Sequence, residues 1–467
     1  MRYLKNTWSG LCCLLMLFAC QTEDIPETDK SLNEWIESTM RENYLWYKEI
    51  PEKGKLNFNM EPEPFFTSML SLKDGKKNSD GMHYYYSYIK ETTGSTKSYH
   101  DEKPSFGFEY KTWRSGAIYS ISVLYTLPNS PATQAGLKRG DWIVAINNEK
   151  VNSSNYMNLS DLSSAKLGLS DRIGGDVKRT ISLTATQITD NPVYLEKVFD
   201  TAPFSNKPAG FRDRKIGYLM YNHFTSGPAG DNDETFNNSM RSAFARFKAA
   251  GVEDFILDLR YNLGGLVTSA QLLATMLAPE SALNQEFCHL TYNDKYPSAK
   301  TIALDTKYMG QGTGGANLNL KRLFILISDR TASASEAVIN GLRPYLGNNL
   351  ILLGTQTEGK NVGSVTYENS KCKYILQPII CQIFNKDNQS DYVDGFMPNI
   401  PLTKEEGDNM GELGSLSEYF LNKTLTYILW GETTVRTDLR MTNNDRTLIY
   451  CSLDNRKAKG SIITENR

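Results

Sequence analysis

Two serines and one lysine carry the chemistry that this sequence most clearly offers. Ser333 and Ser335 lie in the run 328–336, between an apolar strand-like segment and a helix that starts near Ala337. At such a turn a serine hydroxyl can be exposed as a nucleophile, beside helix N–H groups that stabilise negative charge. Lys360 follows, and a lysine kept neutral by burial can act as the base that a serine nucleophile needs. Both serines could equally be helix caps, with Lys360 in a solvated turn, because helix N-termini favour serine.

A glycine pair at the end of a second apolar strand adds another element of the same chemistry. Residues 254–259 predict a buried strand, and they lead into Arg260-Tyr261-Asn262-Leu263-Gly264-Gly265. Paired glycines at the end of a strand let backbone N–H groups approach a ligand closely, as an oxyanion hole requires.

Together these segments resemble the C-terminal processing, or tail-specific, serine proteases. The resemblance rests on three motifs in the same order and spacing, and it covers roughly residues 106–401. These motifs are an Asp-Leu-Arg-x-Asn-x-Gly-Gly strand end at 258–265, Ser-Ala-Ser-Glu at 333–336, and Gly-Lys at 359–360. The family implies a Ser-Lys dyad that cleaves protein substrates, a crotonase-like α/β core, and no metal or organic cofactor.

The resemblance assigns roles to individual residues of this sequence. Ser333 is the implied nucleophile, Lys360 is the implied general base, and Ser335 is implied to be a neighbouring helix cap. The implied oxyanion hole consists of the N–H groups of Ala334 and of Gly264 or Gly265.

Two positions depart from the family pattern. Many relatives have an acidic residue eleven positions after the nucleophile, where this sequence has Pro344. Many also have a glutamine shortly after the lysine, where this sequence offers only Ser364 or Thr366. An active protease is the preferred interpretation, and the alternative is a weak or inactive scaffold that binds peptides.

A segment upstream of these motifs looks like a circularly permuted bacterial PDZ domain. Residues 129–147 contain Ser-Pro-Ala, Ala-Gly-Leu and Gly-Asp-x-Ile-x-x-Ile-Asn in the spacing of that domain. Phe106-Gly107-Phe108 falls where such domains hold a peptide's C-terminal carboxylate, with the peptide added as an edge strand. The predicted partners are therefore proteins or peptides with accessible C-termini. Alternatively, the domain only packs on the protease and regulates it.

The N-terminus predicts export and lipid attachment. Arg2 and Lys5 form a basic region, and the apolar run 11–19 is too short to span a bilayer. Leu17-Phe18-Ala19-Cys20 resembles a bacterial lipobox, so we expect a lipid on Cys20, an envelope location facing the periplasm or the cell surface, and membrane attachment through the lipid only. An ordinary signal peptide is the alternative.

Composition excludes several other classes. A net charge of −2, without a basic block, argues against nucleic-acid binding. The four histidines lie away from the motifs, so neither a histidine triad nor a zinc site is predicted. The four cysteines downstream of Cys20 form no framework and are expected to be buried thiols, although a disulfide would be feasible in the envelope. These cysteines are Cys288, Cys372, Cys381 and Cys451.

The expected fold is a multidomain α/β protein with a small helical N-terminal domain, a PDZ-like β domain and an α/β protease core. Aromatic residues near Trp35 and Trp46 are expected to fill the helical core, although a surface glycan-binding lipoprotein would also use aromatic residues. The predicted segments are a signal peptide at 1–19, a tether at 20–30, the helical domain at 31–102, the PDZ domain at 103–195, the core at 196–403, and a helical segment and tail at 404–467.

Overall fold

The computed structural model describes residues 27–78, 81–91, 104–205, 207–229, 232–402, 410–431 and 446–454. The predicted signal peptide and Cys20 lie outside these residues. The predicted tether ends earlier than expected, because the first helix already begins at Glu27.

The N-terminal domain is built around one amphipathic helix. Leu32, Ile36 and Met40 recur at helical spacing, and they are buried against Phe65 of the second helix. Tyr44 is also fully buried, so this aromatic side chain fills the core as expected. The elements are α1 (Glu27–Asn43), α2 (Pro62–Thr67), β1 (Lys76–Lys77), β2 (His83–Tyr84) and β3 (Tyr88–Glu91), with 3-10 turns at Tyr47–Glu49 and Lys53–Lys55.

The next domain is the β structure that the Ser-Pro-Ala and Gly-Asp motifs predict. Ser130 caps its short helix by accepting a hydrogen bond from the Thr133 N–H at 3.2 Å, and Gly136 and Gly140 turn the chain at positive φ. Its elements are β4 (Phe108–Ser115), β5 (Ile118–Thr126), α3 (Pro131–Gln134), β6 (Trp142–Ile146), β7 (Glu149–Lys150), a 3-10 turn at Leu159–Asp161, β8 (Ser164–Ser170) and β9 (Arg179–Thr184).

The core is an α/β unit around a mostly parallel sheet. Its first half contains β10 (Val193–Asp200), β11 (Lys215–Tyr221), α4 (Thr235–Ala250), β12 (Val252–Asp258), α5 (Val267–Leu277), a 3-10 turn at Glu280–Ala282, β13 (Glu286–Tyr292), β14 (Lys300–Ala303) and α6 (Thr306–Met309). Its second half contains β15 (Leu323–Ile327), α7 (Ala334–Leu346), a 3-10 turn at Gly347–Asn349, β16 (Leu350–Gly354), β17 (Val362–Ser364), β18 (Tyr367–Asn369), β19 (Tyr374–Gln377), β20 (Ile379–Phe384) and β21 (Ile400–Pro401).

The central sheet has the strand order β10-β11-β12-β15-β16-β21, and only β10 is antiparallel to its neighbour. Helices cover both faces, so β15 and β16 are buried along their whole length and read as continuous apolar runs. The predicted glycine loop and serine turn therefore meet at the carboxyl ends of the adjacent strands β12 and β15.

The core contributes strands to two further sheets, and the second of these attaches the N-terminal domain to it. One has the order β14-β13-β20-β17, and the other has the order β18-β19-β3. The second sheet pairs Ile89 of β3 with Leu376 of β19. The last strand of the predicted helical N-terminal domain therefore completes a sheet of the core, which the prediction did not include.

The end of the chain returns to the PDZ domain. The terminal helix α8 (Tyr419–Trp430) was predicted, but the strand β22 (Thr447–Cys451) was not. This strand pairs with β4, and the resulting sheet has the order β22-β4-β5-β6-β8-β9 with β7 beside β6. The predicted helical segment and tail thus contains a strand that belongs to the PDZ sheet.

The predicted multidomain α/β class is confirmed. Cys288, Cys372, Cys381 and Cys451 are free thiols, and all except Cys372 are buried. No helix in the described ranges is both long and apolar enough to cross a membrane.

Candidate active site

Ser333 lies in a strained turn between β15 and α7. Its φ of 61° and ψ of −112° place a non-glycine residue in a sparsely populated region, at a cost of about 1–3 kcal/mol. The turn is held in place by side chains, since Ser328 Oγ donates to the Arg260 carbonyl at 2.5 Å and Thr331 Oγ1 donates to the Leu259 carbonyl at 2.9 Å. Strain that is fixed in this way is typical of a nucleophile elbow.

Asn262 joins the glycine loop to the serine turn. Its side chain donates to the Tyr221 carbonyl at 2.8 Å and accepts from the Gly264 N–H at 2.9 Å. Its carbonyl accepts from the Ala332 N–H at 3.1 Å and from Ser335 Oγ at 3.0 Å. Ser335 was expected to cap the helix. It does not, because its hydroxyl donates a hydrogen bond to the Asn262 carbonyl on the neighbouring loop. The N-cap position of α7 is Ser333 itself.

The two glycines differ in the availability of their N–H groups. A Cβ atom added at Gly264 would lie 2.8 Å from Ser333 Cβ and 3.1 Å from the Ala334 nitrogen, so this glycine packs directly on the serine turn. However, its own N–H is engaged by Asn262. The N–H groups of Gly265 and Ala334 donate no hydrogen bond to any residue in the described ranges. These two groups remain as candidate oxyanion donors, one from the loop and one from the helix N-terminus.

Lys360 lies in the loop that follows β16, and 95% of its surface is shielded. Burial lowers the pKa of its amine to about 8, against the opposing charges of Asp74, Glu358 and Glu336. The Nζ atom lies 5.0 Å from the centroid of the Tyr86 ring, and it makes no hydrogen bond or ion pair with a described residue. At neutral pH an appreciable fraction of this amine is therefore unprotonated and able to accept a proton.

The Glu336 carboxylate connects the two predicted catalytic residues. Its Oε2 accepts the backbone N–H of Ser333 and the backbone N–H of Lys360, each at 2.8 Å. Its Oε1 accepts Thr357 Oγ1 at 2.6 Å and the Gly359 N–H at 2.7 Å. Burial raises the pKa of Glu336 to about 7, whereas these four donors favour its ionised form.

One carboxylate thus fixes the nucleophile turn relative to the lysine loop. No role was predicted for Glu336. The signal was present, because a glutamate three residues after a serine N-cap predicts a reciprocal hydrogen bond at a helix start.

The two altered helper positions have different surroundings. Pro344 lies inside α7, so no acid comes from that position. Ser364 Oγ accepts a hydrogen bond from Gln377 Nε2 at 3.1 Å, and Gln377 is buried in β19. Gln377 therefore contacts the segment that follows Lys360, but it comes from a different strand. The motif around Lys360 could not indicate this contact.

The predicted peptide-binding loop is not open at its edge. Phe106 and Phe108 are buried, and the Gly107 carbonyl already accepts from the Leu127 N–H at 2.8 Å and from Ser130 Oγ at 3.1 Å. A bound peptide would add as a strand to the side of β4 that faces away from β5. In this structure β22 occupies that side, antiparallel to β4.

Gly264→Ala is expected to lower the activity of the site at least about 10-fold, because the new methyl group must displace Ser333. Gly251→Ala is a matched control, since Gly251 also has positive φ but nothing lies within 4 Å of its added Cβ. The control should lose about 1 kcal/mol of unfolding free energy and keep its activity. Equal rates for both variants in a cleavage assay would show that the close approach of Gly264 to Ser333 has no importance.

Known protein families match three segments of this chain. The model of peptidase family S41 matches residues 215–402, the S41 N-terminal domain matches residues 31–88, and a PDZ domain matches residues 123–165. A crystal structure of an S41-type protein from Bacteroides fragilis aligns with a TM-score of 0.72 at 31% identity, over 84% of this chain and 96% of that one. The chain belongs to peptidase family S41. The predicted family is thereby confirmed.

Curated relatives are more distant. The chloroplastic C-terminal processing peptidase of Tetradesmus obliquus is 25% identical over 257 residues, which is 54% of this chain and 50% of that protein. The carboxyl-terminal-processing protease of Picosynechococcus is 24% identical over 248 residues, covering 53% of this chain and 52% of that protein. The chain thus spans about half the length of these curated relatives.

Proposed function

We propose that this S41 protein is a serine endopeptidase with a Ser333–Lys360 dyad. The observation that carries the proposal is the shared Glu336 oxygen, which accepts the backbone N–H groups of both residues at 2.8 Å. The backbone nitrogens of Ser333 and Lys360 therefore lie within twice that distance of each other. The loop that carries a buried amine, with no hydrogen-bond partner among the described residues, is thereby fixed to the turn that carries Ser333.

The arrangement supports acyl transfer in two steps. Neutral Lys360 takes the proton from Ser333 Oγ, which bonds to the scissile carbonyl carbon, and the oxyanion accepts the N–H groups of Gly265 and Ala334. The lysine ammonium then protonates the leaving amine as the peptide C–N bond breaks, leaving an ester on Ser333. The same amine takes a proton from a water molecule, whose oxygen bonds to the ester carbon. The resulting ammonium then returns that proton to Ser333 Oγ as the bond between Oγ and carbon breaks and the acid product leaves.

The proposed substrates are proteins recognised in part through their C-termini. The curated relatives are named for C-terminal processing, and the PDZ match is the part of the chain suited to binding a carboxylate. Ser333 is completely buried and β22 covers the edge of β4, so both sites must open before a polypeptide can bind. The complete burial of Ser333 also favours a second candidate, a peptide-binding scaffold without cleavage.

The rate of cleavage of a permanently unfolded protein is expected to rise with pH through about 8, because the lowered pKa of Lys360 sets the fraction of neutral amine. Below this pH the amine is protonated and cannot accept the Ser333 proton, and above it the rate should level off. The assay is the pH dependence of kcat/KM between pH 6 and 10. A rate that is highest below pH 6 would point to another base, and no cleavage at any pH would favour the scaffold.

The proposed location is the cell envelope, with the protein attached through a lipid on Cys20. The support is the lipobox-like Leu-Phe-Ala-Cys run at the end of a short apolar segment. Cys20→Ala is expected to move the protein from the detergent phase to the aqueous phase in a detergent partition. Unchanged retention in the detergent phase would contradict lipid attachment.

A further inference from the structure

The N-terminal domain forms one wall of the lysine pocket. Tyr86 precedes β3, and the centroid of its ring lies 5.0 Å from Lys360 Nζ. Tyr84 and Lys76 of the same domain bind Glu358, the former through the carboxylate and the latter through the backbone carbonyl. The lysine loop is therefore enclosed by two parts of the chain that are far apart in sequence.

Asp74 holds this wall in place. Its Oδ1 accepts the N–H groups of Tyr86 at 2.9 Å and of Ser87 at 3.0 Å, and its Oδ2 accepts Tyr44 Oη at 2.9 Å. Asp74 is completely buried, and the Ser87 hydroxyl in turn accepts the Ile379 N–H of the core at 2.8 Å. Three donors to two oxygens suit an ionised carboxylate.

We infer that Asp74 and Tyr86 are positioning residues for the Lys360 amine, supplied by the N-terminal domain and acting through charge and ring contact. This inference rests on the proposed dyad. It gives the N-terminal domain a part in proton transfer. Asp74 would supply an acidic group near the lysine, whereas Pro344 occupies the position where many relatives have an acidic residue.

The electrostatics around the amine agree with this role. The charged groups that act on Lys360 are Asp74, Glu358 and Glu336, and each raises the pKa that burial lowers. Burial also raises the pKa of Asp74, while the hydrogen bonds from Ser87, Tyr44 and Tyr86 lower it. The Tyr86 ring adds a cation–π contact that favours the ammonium form.

Asp74→Asn tests the inference while keeping two of the three hydrogen bonds, because an amide oxygen can still accept the N–H groups of Tyr86 and Ser87. The measurement is the rate at which a fluorophosphonate modifies Ser333, followed from pH 6 to pH 10. With the negative charge removed, the Lys360 amine loses its proton more easily, so the midpoint should move about one unit to lower pH. Asp171→Asn, on an exposed carboxylate of the PDZ domain, should leave the midpoint unchanged.

Tyr86 provides a second pair of variants that does not depend on the charge. Tyr86→Phe keeps the ring and should react within about 2-fold of the wild type, whereas Tyr86→Leu should be at least about 10-fold slower on the pH plateau. If Asp74→Asn reacts with an unmoved midpoint, or if Tyr86→Phe and Tyr86→Leu react alike, the inference is wrong and the dyad stands. A wild-type protein that is not modified at any pH overturns the dyad, and the inference with it.

An independent observation concerns β22, which occupies the position of a PDZ ligand. It is antiparallel to β4, with Leu448 opposite Trp113 and Cys451 opposite Lys111. It runs toward the start of β4 and so toward Gly107, the direction in which a C-terminal peptide would run.

Side chains of β22 and of the residues that follow it contact both the PDZ domain and the core. Tyr450 packs between Tyr110 at 5.7 Å and Tyr156 at 5.9 Å, and Ser452 Oγ accepts the Tyr110 N–H at 2.8 Å. Asp454 then pairs with Arg330 at 3.3 Å, in the run that leads to Ser333. The segment thus links the PDZ edge to the nucleophile turn.

We also propose that β22 is an internal strap that a substrate peptide must displace to reach the PDZ edge. This proposal rests on the PDZ part of the proposed function and is independent of the dyad. Displacement of β22 would expose the edge of β4 and, in the same movement, break the ion pair between Asp454 and Arg330.

A reversible lock on the full chain tests the strap. Thr447 and Arg114 lie opposite each other and are both exposed, so Thr447→Cys with Arg114→Cys places a disulfide across the two strands. The probe is a fluorescent peptide ending in two valines with a free carboxylate, compared with the same peptide amidated, and the control is Thr447→Cys alone.

The oxidised double variant should bind the free-acid peptide at least about 10-fold more weakly than its reduced form, with no redox effect in the control. Equal binding by the oxidised and reduced forms would show that β22 does not block the site. No binding even by the reduced forms would show that β22 is a permanent part of the sheet. Either result overturns the strap, and neither depends on cleavage.

Discussion

Ser333→Ala and Lys360→Met are each expected to lower kcat for an unfolded protein substrate by roughly 10⁴-fold or more. In the proposed mechanism, the first variant removes the oxygen that attacks, and the second removes the amine that accepts its proton. Because the two groups act as one unit, the double variant should be no worse than either single variant. Lys360→Arg should also be inactive, since a guanidinium stays protonated.

The stability of Lys360→Met distinguishes a lost base from a lost fold. The pKa of Lys360 is lowered to about 8 by burial, while in the unfolded chain it is about 10.4. Below pH 8 both states are protonated and the folded state bears the cost of a buried ammonium. Between pH 8 and 10.4 this cost disappears as pH rises, so wild-type stability increases there. At pH 7 the methionine variant should therefore be more stable by roughly 1–3 kcal/mol in denaturant unfolding.

Ser335→Ala is the control for the choice of nucleophile. It removes one hydrogen bond, to the Asn262 carbonyl, so about 1 kcal/mol of stability should be lost and most activity kept. If Ser335→Ala is the inactive variant and Ser333→Ala is active, the nucleophile has been misassigned. If Lys360→Met is inactive and also less stable than the wild type, its inactivity says nothing about a base.

Glu336→Gln is expected to disturb both catalytic residues at once. The carboxylate accepts four hydrogen bonds, and an amide would turn an NH₂ group toward two of those donors. Stability should fall by roughly 2–4 kcal/mol, because buried N–H groups lose their acceptor. The activity should fall by about 10²-fold or more, since a shift of about 1 Å between Ser333 and Lys360 has that effect.

Thr357→Val is the matched control for Glu336, because it removes only one of the four donors. It should cost roughly 1–2 kcal/mol and keep a measurable rate. Both variants are measured by denaturant unfolding and by kcat/KM at pH 8. A Glu336→Gln protein with wild-type activity would show that the shared carboxylate does not hold the dyad together.

Features set by local sequence were predictable. A strand, a serine turn and a helix follow one another within residues 323–346, and glycines at 264 and 265 are required where a side chain would collide with Ser333 or Phe224. The PDZ turns likewise follow from short motifs. Such features depend on backbone conformation and apolar periodicity, which neighbouring residues determine.

Features that depend on distant contacts were not predictable. Asp74 and Tyr86 reach Lys360 only because β3 pairs with β19, and Gln377 reaches Ser364 from the same strand. The strand β22 is too short and too mixed in polarity to indicate on which edge it docks. The prediction that Ser335 caps the helix was wrong for the same reason, since the acceptor of its hydroxyl lies on the loop after β12.

The most direct test of the dyad is to locate the adduct formed with a fluorophosphonate by peptide mass spectrometry, in the wild type and in Lys360→Met. The wild type should carry a single adduct on Ser333, formed faster as the pH rises through about 8, and Lys360→Met should remain unmodified. An adduct on Ser335 or elsewhere, or equal modification of Ser333 in the two proteins, would contradict a serine activated by this lysine.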